Sequence, residues 1–169
     1  MSDMSDLVSQ TIEEVRSVSH NLRPHQLDQL GVSKTIRALI KNVAKSSHIA
    51  FAFDIDDVDD ALQGDEDIGL FRIVQESLNN IVKHSEATEV HVSLKRNPEG
   101  LLLIIRDNGK GMGSVPTGER LGEGFGLSGM KERARILGGA IDVRSTRDGT
   151  TVELRIPLVS RVSRPDSRK

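Results

Sequence analysis

Residues 70–84 read Leu-Phe-Arg-Ile-Val-Gln-Glu-Ser-Leu-Asn-Asn-Ile-Val-Lys-His, and their periodicity predicts the longest amphipathic helix of the chain. At about 100° per residue, Phe71, Val74, Leu78, Ile81 and Val82 fall on one side, with Arg72, Glu76, Asn80 and Lys83 opposite. Two strands follow, Glu89 to Arg96 and Leu101 to Asp107, joined by the turn residues Asn97-Pro98-Glu99-Gly100. Next comes a segment holding Gly109, Gly111, Gly113, Gly118, Gly122, Gly124, Gly126 and Gly129, eight of the fifteen glycines, which predicts a loop that moves or approaches something closely. A helix from Leu127 to Leu137, stopped by Gly138-Gly139, leads into a hairpin, Ala140 to Ser145 and Thr151 to Pro157, around Asp148-Gly149.

Upstream, a helical stripe of Leu7, Val8, Ile12, Val15, Val18 and Leu22 is expected to end at Pro24. A second pattern, Ile36, Leu39, Ile40, Val43 and Ala44, begins after Gly31 with Ser33 as N-cap. Ile49 to Ile55 alternates as a half-buried strand, and Asp54 to Asp67, with eight acids, reads as an exposed turn. This order of elements predicts a sheet covered on one face by helices, an α/β sandwich preceded by an N-terminal helix.

Composition narrows the chemistry. The 169 residues are 36% apolar but only 2% aromatic, so the core is aliphatic and base stacking on aromatic platforms is nearly excluded. A net charge of −2 argues against a general nucleic-acid binder or a polybasic membrane-surface protein. The absence of cysteine rules out disulfides, thiolate metal sites and cysteine nucleophiles. The longest purely apolar run, Leu101 to Ile105, is five residues against the ~20 needed to span a bilayer, so neither a membrane span nor a signal peptide is expected.

Three constellations carry chemistry. Glu76, Asn80 and Lys83, at i, i+4 and i+7, present a carboxylate, a neutral amide oxygen and an ammonium in a row. That set suits metal-bound phosphate: the amide oxygen ligates a hard cation such as magnesium, the ammonium reaches phosphate, and the carboxylate orients or deprotonates a nucleophile. The same residues also read as a solvated helix face with an ordinary ion pair. Asp107-Asn108-Gly109-Lys110-Gly111 ends an apolar strand, where an aspartate accepts from an exocyclic amine and glycines let a flat ring lie on backbone; the alternative is a simple turn. Gly124-Phe125-Gly126-Leu127-Ser128-Gly129 opens into a helix whose bare N–H groups suit phosphate, and no strand immediately precedes it, which rejects a dinucleotide-binding turn.

Glu-x-x-x-Asn on a helix, Asp-x-Gly-x-Gly after a strand, a loop and Gly-x-Gly-x-x-Gly at a helix start, in that order, resemble the ATP-binding domain shared by sensor histidine kinases, gyrase-type ATPases, mismatch-repair ATPases and a heat-shock chaperone. Phe71 to His84, Gly126 to Arg133 and the upstream Leu22-Arg23-Pro24 and Leu27-Asp28-Gln29-Leu30-Gly31 are most similar to histidine kinases of the nitrate-sensor and lipid-fluidity-sensor type. The resemblance implies an α+β fold, a two-layer sandwich with a mixed sheet of the Bergerat (GHKL) type that binds ATP and Mg2+. It implies that Asn80 binds magnesium, Lys83 and His84 lie near the phosphates, and Glu76 assists phosphoryl transfer. Asp107 would contact adenine N6 with Gly109 and Gly111 shaping its pocket; Gly124, Gly126, Leu127 and Gly129 would close over the phosphates, and Thr150 would lie near adenine.

On this reading residues 1–31 are part of a dimerisation helix and linker, 32–158 the ATP-binding domain, and 159–169 a disordered basic tail. The acceptor helix is expected to lie outside the chain, on the dimerisation (histidine-phosphotransfer) domain of a homodimeric cytoplasmic kinase that relays phosphate to a response regulator. His20 resembles an acceptor histidine, but Asn21 stands where the chemistry uses an acid. His25, His48 and His91 have no partner at metal-ligand spacing and read as surface residues. Two further readings are a stand-alone serine kinase of the anti-sigma-factor type and an ATP-sensing module without chemistry.

Overall fold

The computed structural model describes residues 25–62, 65–111 and 125–158. In chain order these form α1 (His25–Leu30), α2 (Val32–Ser46), β1 (Ala50–Ile55), α3 (Glu66–Asn80) with a π-helical turn (Ile81–Ser85), β2 (Glu89–Asn97), β3 (Gly100–Asp107), α4 (Phe125–Ile136), β4 (Ala140–Thr146) and β5 (Gly149–Pro157). The expectations placed on the helix before Pro24, on His20, on Gly124 and on the C-terminal tail fall outside the described residues.

The five strands lie in the order β1-β2-β3-β5-β4. β1 runs parallel to β2, and the other neighbours are antiparallel, giving the mixed sheet that the family resemblance implies. A parallel pair needs a crossover, which α3 supplies. Alternation then assigns the faces. Val90, Val92 and Leu94 of β2, Leu101, Leu103 and Ile105 of β3, and Val152, Leu154 and Ile156 of β5 are buried on one face, while His91, Arg106 and Arg155 point outward and are exposed. The helices cover the buried face alone. α3 lies between α2 and α4 and buries Leu70, Phe71, Ile73, Val74, Ser77 and Leu78, a wider arc than a helix with one neighbour needs.

Four details differ from the sequence reading. The long helix starts at Glu66, four residues before Leu70, and its ordinary turns end at Asn80; in the π-helical turn that follows, Val82 rotates off the apolar side and is 47% exposed. The Leu27–Gly31 stretch carries α1, whose Leu27 belongs to the core rather than to a bare linker. Ser33 is not the cap of α2, because the helix begins at Val32 and Ser33 lies inside its first turn. Nor is the acid-rich stretch a plain exposed turn: Asp54 and Ile55 belong to β1, Glu66 and Asp67 open α3, and Val58 and Leu62 are buried.

The acids in that stretch tie the elements together. Ser33 N donates to Asp59 Oδ1 at 2.8 Å, and Val58 N donates to Ser33 Oγ at 2.9 Å, so a carboxylate 26 residues downstream performs the capping. Asp56 accepts from Arg96 N at 3.0 Å and Lys95 Nζ at 2.9 Å, and Asp60 takes Arg96 Nη1 on both oxygens.

Asp59→Ala should lower stability by about 1 kcal/mol, the usual worth of an N-cap, measured by urea denaturation. The Arg96 N–H and Lys95 hold Asp56 below its ordinary 3.8, and the Arg96 guanidinium does the same for Asp60. Their stabilisation is therefore present above 3.8 and lost as pH falls through the lower folded values. Asp56→Asn should flatten the decline of stability as pH falls below the ordinary 3.8 of the carboxylate.

Candidate functional site

Alternation along β3 puts Asp107 on the same side as Leu101, Leu103 and Ile105, so a carboxylate takes a core position and is only 3% exposed. One of its oxygens, Oδ1, accepts from Gly109 N at 2.8 Å, and no other described residue bonds to the group. Its other oxygen makes no hydrogen bond to a described residue and so has acceptor capacity for a further donor.

Backbone closes around it without side chains. Ser85, at the end of the π-helical turn, is buried; its carbonyl accepts from Lys110 N at 2.8 Å, and a methyl group at Gly109 would collide with that carbonyl. From the other side comes Gly149, at φ +129°, where a methyl group would run into the Asp107 carbonyl. Gly111, at φ +70°, lies equally close to the Thr146 carbonyl. Glycine at 149 and 111 is thus required twice over, by a positive φ and by the closeness of backbone. The register Arg106↔Thr151 places Thr150 one step further, opposite Asp107, where its hydroxyl lies 3.3 Å from Ser145 Oγ.

The same π-helical turn joins this pocket to α3. Glu76 and Asn80 are half-buried on the last turns of the helix, and Lys83 and His84 are exposed on the turn itself. None of the four side chains has a hydrogen bond or ion pair with a described residue. At the opposite side of the helix seam, Gly126 lies so close to Glu76 that a side chain there would displace Glu76 Oε1. Leu127 packs against the core, and Gly129 lies under the guanidinium of Arg133.

Several contributors carry no sequence signal of their own. Asn108 accepts Thr88 N and Glu89 N on Oδ1, both at 2.9 Å, and so pins the pocket segment to the start of β2. Ser85 Oγ donates to Ile81 O at 2.8 Å and accepts Ala87 N at 3.1 Å, closing the widened turn. Glu86 takes a left-handed φ of 54° and pairs with Lys110 at 2.5 Å, an exposed ion pair of little energetic consequence. An Asn directly after a strand and a Ser after a helix are the faint cues that point to the first two.

The site fits a nucleotide bearing its own metal ion. The second Asp107 oxygen can take an amine donor, the bare glycines leave room for a flat ring, and Asn80, Lys83 and His84 present an amide, an ammonium and an imidazole along the adjoining turn. Among the described residues no three of His, Cys, Asp and Glu converge on a metal position. A single amide oxygen is nevertheless sufficient for magnesium, which keeps its waters and takes phosphate oxygens as further ligands. The fold and site together define a nucleotide-binding two-layer sandwich.

Residues 65–160 match the family of histidine kinase-, DNA gyrase B- and HSP90-like ATPases, and the chain belongs to that family. It is 34% identical over 159 residues to the signal transduction histidine-protein kinase/phosphatase DegS of Brevibacillus brevis, and 37% identical over 150 residues to its namesake class member UhpB of Salmonella typhimurium. The alignments take in 94% and 86% of this chain but only 40% and 28% of those two proteins. The histidine kinase domain of the blue-light activated histidine kinase from Erythrobacter litoralis superposes with a TM-score of 0.60 at 18% identity, over 75% of this chain and 65% of that one, a likeness of fold. Among the described residues no helix is long and apolar enough to cross a membrane.

Gly149→Ala should cost about 2–4 kcal/mol, because both φ and the Asp107 carbonyl resist the methyl group. Chemical denaturation measures this, and nucleotide affinity should fall in the same variant.

Proposed function

We propose that this chain is the ATP-binding catalytic domain of a sensor histidine kinase and that it delivers the γ-phosphate to a histidine outside the chain. The observation that carries the reading is Asp107, a carboxylate in a core position whose second oxygen bonds to no described residue, at the position where the family resemblance expects the adenine amine. Relatives that are histidine kinases by name support it. The histidine-phosphotransfer domain, the response regulator, the homodimeric parent and a cytoplasmic setting belong to the same proposal, as does a domain boundary near residue 32. Because α1 places Leu27 in the core, the segment entering the domain is a packed connection through which the dimerisation helix could transmit movement.

Each residue has a role on this reading. Asp107 accepts from adenine N6, and Gly109 and Gly111 leave the ring room. Asn80 supplies an oxygen to magnesium, which when bound neutralises the β- and γ-phosphates. Lys83 and His84 hold the phosphate chain, and Gly124, Gly126, Leu127 and Gly129 cover it. Glu76 takes the proton released as the acceptor imidazole nitrogen bonds to the γ-phosphorus and the bond to the β-phosphate oxygen breaks, leaving ADP. Thr150 lines the adenine end.

Incubating the chain with γ-labelled ATP and magnesium, alone and with a supplied dimerisation-domain fragment, tests this. The expected result is acid-labile label on the added fragment only, reduced at least about tenfold by Asn80→Asp. Acid-stable label would favour a serine kinase, and binding without any label an ATP-sensing module. Label on this chain that His20→Gln removes would place the acceptor within it.

A further inference from the structure

The sheet ends in two edge strands, and they are built differently. β4 carries Asp142 and Arg144 on exposed positions, bonded to each other at 2.7 Å, which guards that edge with charge. β1 has Ala50 and Ala52 on its exposed positions and no charged residue before Asp54. Ala50 N donates to Thr88 O and Asp56 N to Leu94 O, so the even-numbered residues bond to β2. The backbone groups of Phe51, Phe53 and Ile55 therefore point away from the sheet. Ile55 O is taken by Arg37 Nη2 at 2.5 Å, which closes the edge at that end. Among the described residues nothing bonds to the backbone of Phe51 or Phe53 on that side. Their rings lie half-buried on the helix-covered face, against the core.

α2 borders the same edge. It turns into β1 through Ser47-His48-Ile49 and runs antiparallel to it, as the Arg37–Ile55 bond requires. One helical turn, about 5.4 Å, nearly matches two strand residues, about 6.6 Å. Counted from Arg37 and Ile55, this brings Lys41 level with Phe53 and Lys45 level with Phe51. α2 contains Lys34, Arg37, Lys41 and Lys45 and no acid. Its three lysines are exposed, with neither a hydrogen bond nor an ion pair to any described residue. Antiparallel pairing of β1 with β1 of a second copy would continue the sheet and lay α2 beside α2, lysine against lysine. The charge suits an acidic occupant instead. We infer that the free edge of β1 binds an extended acidic segment of a partner protein as an added strand. Main-chain hydrogen bonds to Phe51 and Phe53 supply the pairing, and carboxylates of the segment meet Lys41 and Lys45. The inference does not depend on the nucleotide reading.

Titration calorimetry of the full chain with a synthetic peptide of about ten residues, alternating Glu and Val, tests the inference. The peptide should bind more tightly than about 100 μM. Methylating its backbone nitrogens at alternate residues, in either frame, keeps the charge but blocks one strand edge, and one of the two frames should weaken binding at least about tenfold. The exposed pair of changes Lys41→Glu and Lys45→Glu should cost at least about tenfold as well. Because the methylated peptides are read against the unaltered chain, the test holds even if that variant is unstable. No binding of the Glu-Val peptide would overturn the inference. So would equal binding of both methylated forms, or equal binding of a Lys-Val peptide. A concentration-dependent dimer in sedimentation that Phe53→Asp abolishes would give the edge to a second copy and overturn it too.

Discussion

A charged group held at a core position organises this molecule. Asp107 ends a strand whose other inward residues are aliphatic, and the chain around it is arranged so that backbone, not side chains, reaches the carboxylate. Gly109 supplies the one donor among the described residues, while Gly149 and Ser85 bring the β4–β5 hairpin and the end of α3 against the same few ångströms. An apolar residue at this position would have been simpler for folding. The acceptor capacity that the described residues leave on this carboxylate is what the proposed ligand would use.

The rest of the architecture follows from where that pocket lies. α3 crosses from β1 to β2 over the buried face, and its widened last turn descends directly onto the Asp107–Gly111 segment, so that Glu76, Asn80, Lys83 and His84, which bond to no described residue, lie on the helix end leading into the pocket. Because α2 and α4 both flank α3, the helix is buried broadly and cannot shift without disturbing the core. At the far edge, the acids between β1 and α3 cap α2 and bind Lys95 and Arg96, which ties down the parallel strand pair β1–β2.

Much of this was legible in the amino-acid sequence. The alternation of β2, β3 and β5 and the helical period of residues 70–80 are local patterns that mark the strands and the long helix, whereas the glycines beside Asp107 read either as a ring-binding turn or as a simple turn. What the sequence concealed is non-local. Asp59 caps a helix 26 residues upstream, a partnership that no local pattern announces, and so Ser33 looked like the cap. The π-helical turn has no periodic signature, because a single widened turn resembles one more turn of α-helix until Val82 proves exposed.

The central claim is that Asp107 reads the amine of adenine, and the most direct measurement compares the affinity of the chain for ATP and for inosine triphosphate, which carries a carbonyl oxygen where adenine carries the amine. A buried acceptor facing another acceptor loses a hydrogen bond and gains a repulsion, so the account predicts ATP bound at least about tenfold more tightly. That preference should disappear in Asp107→Asn, whose amide can donate as well as accept. Equal affinity of the wild-type chain for the two nucleotides would contradict the account, because the buried carboxylate would then have no part in recognising the base.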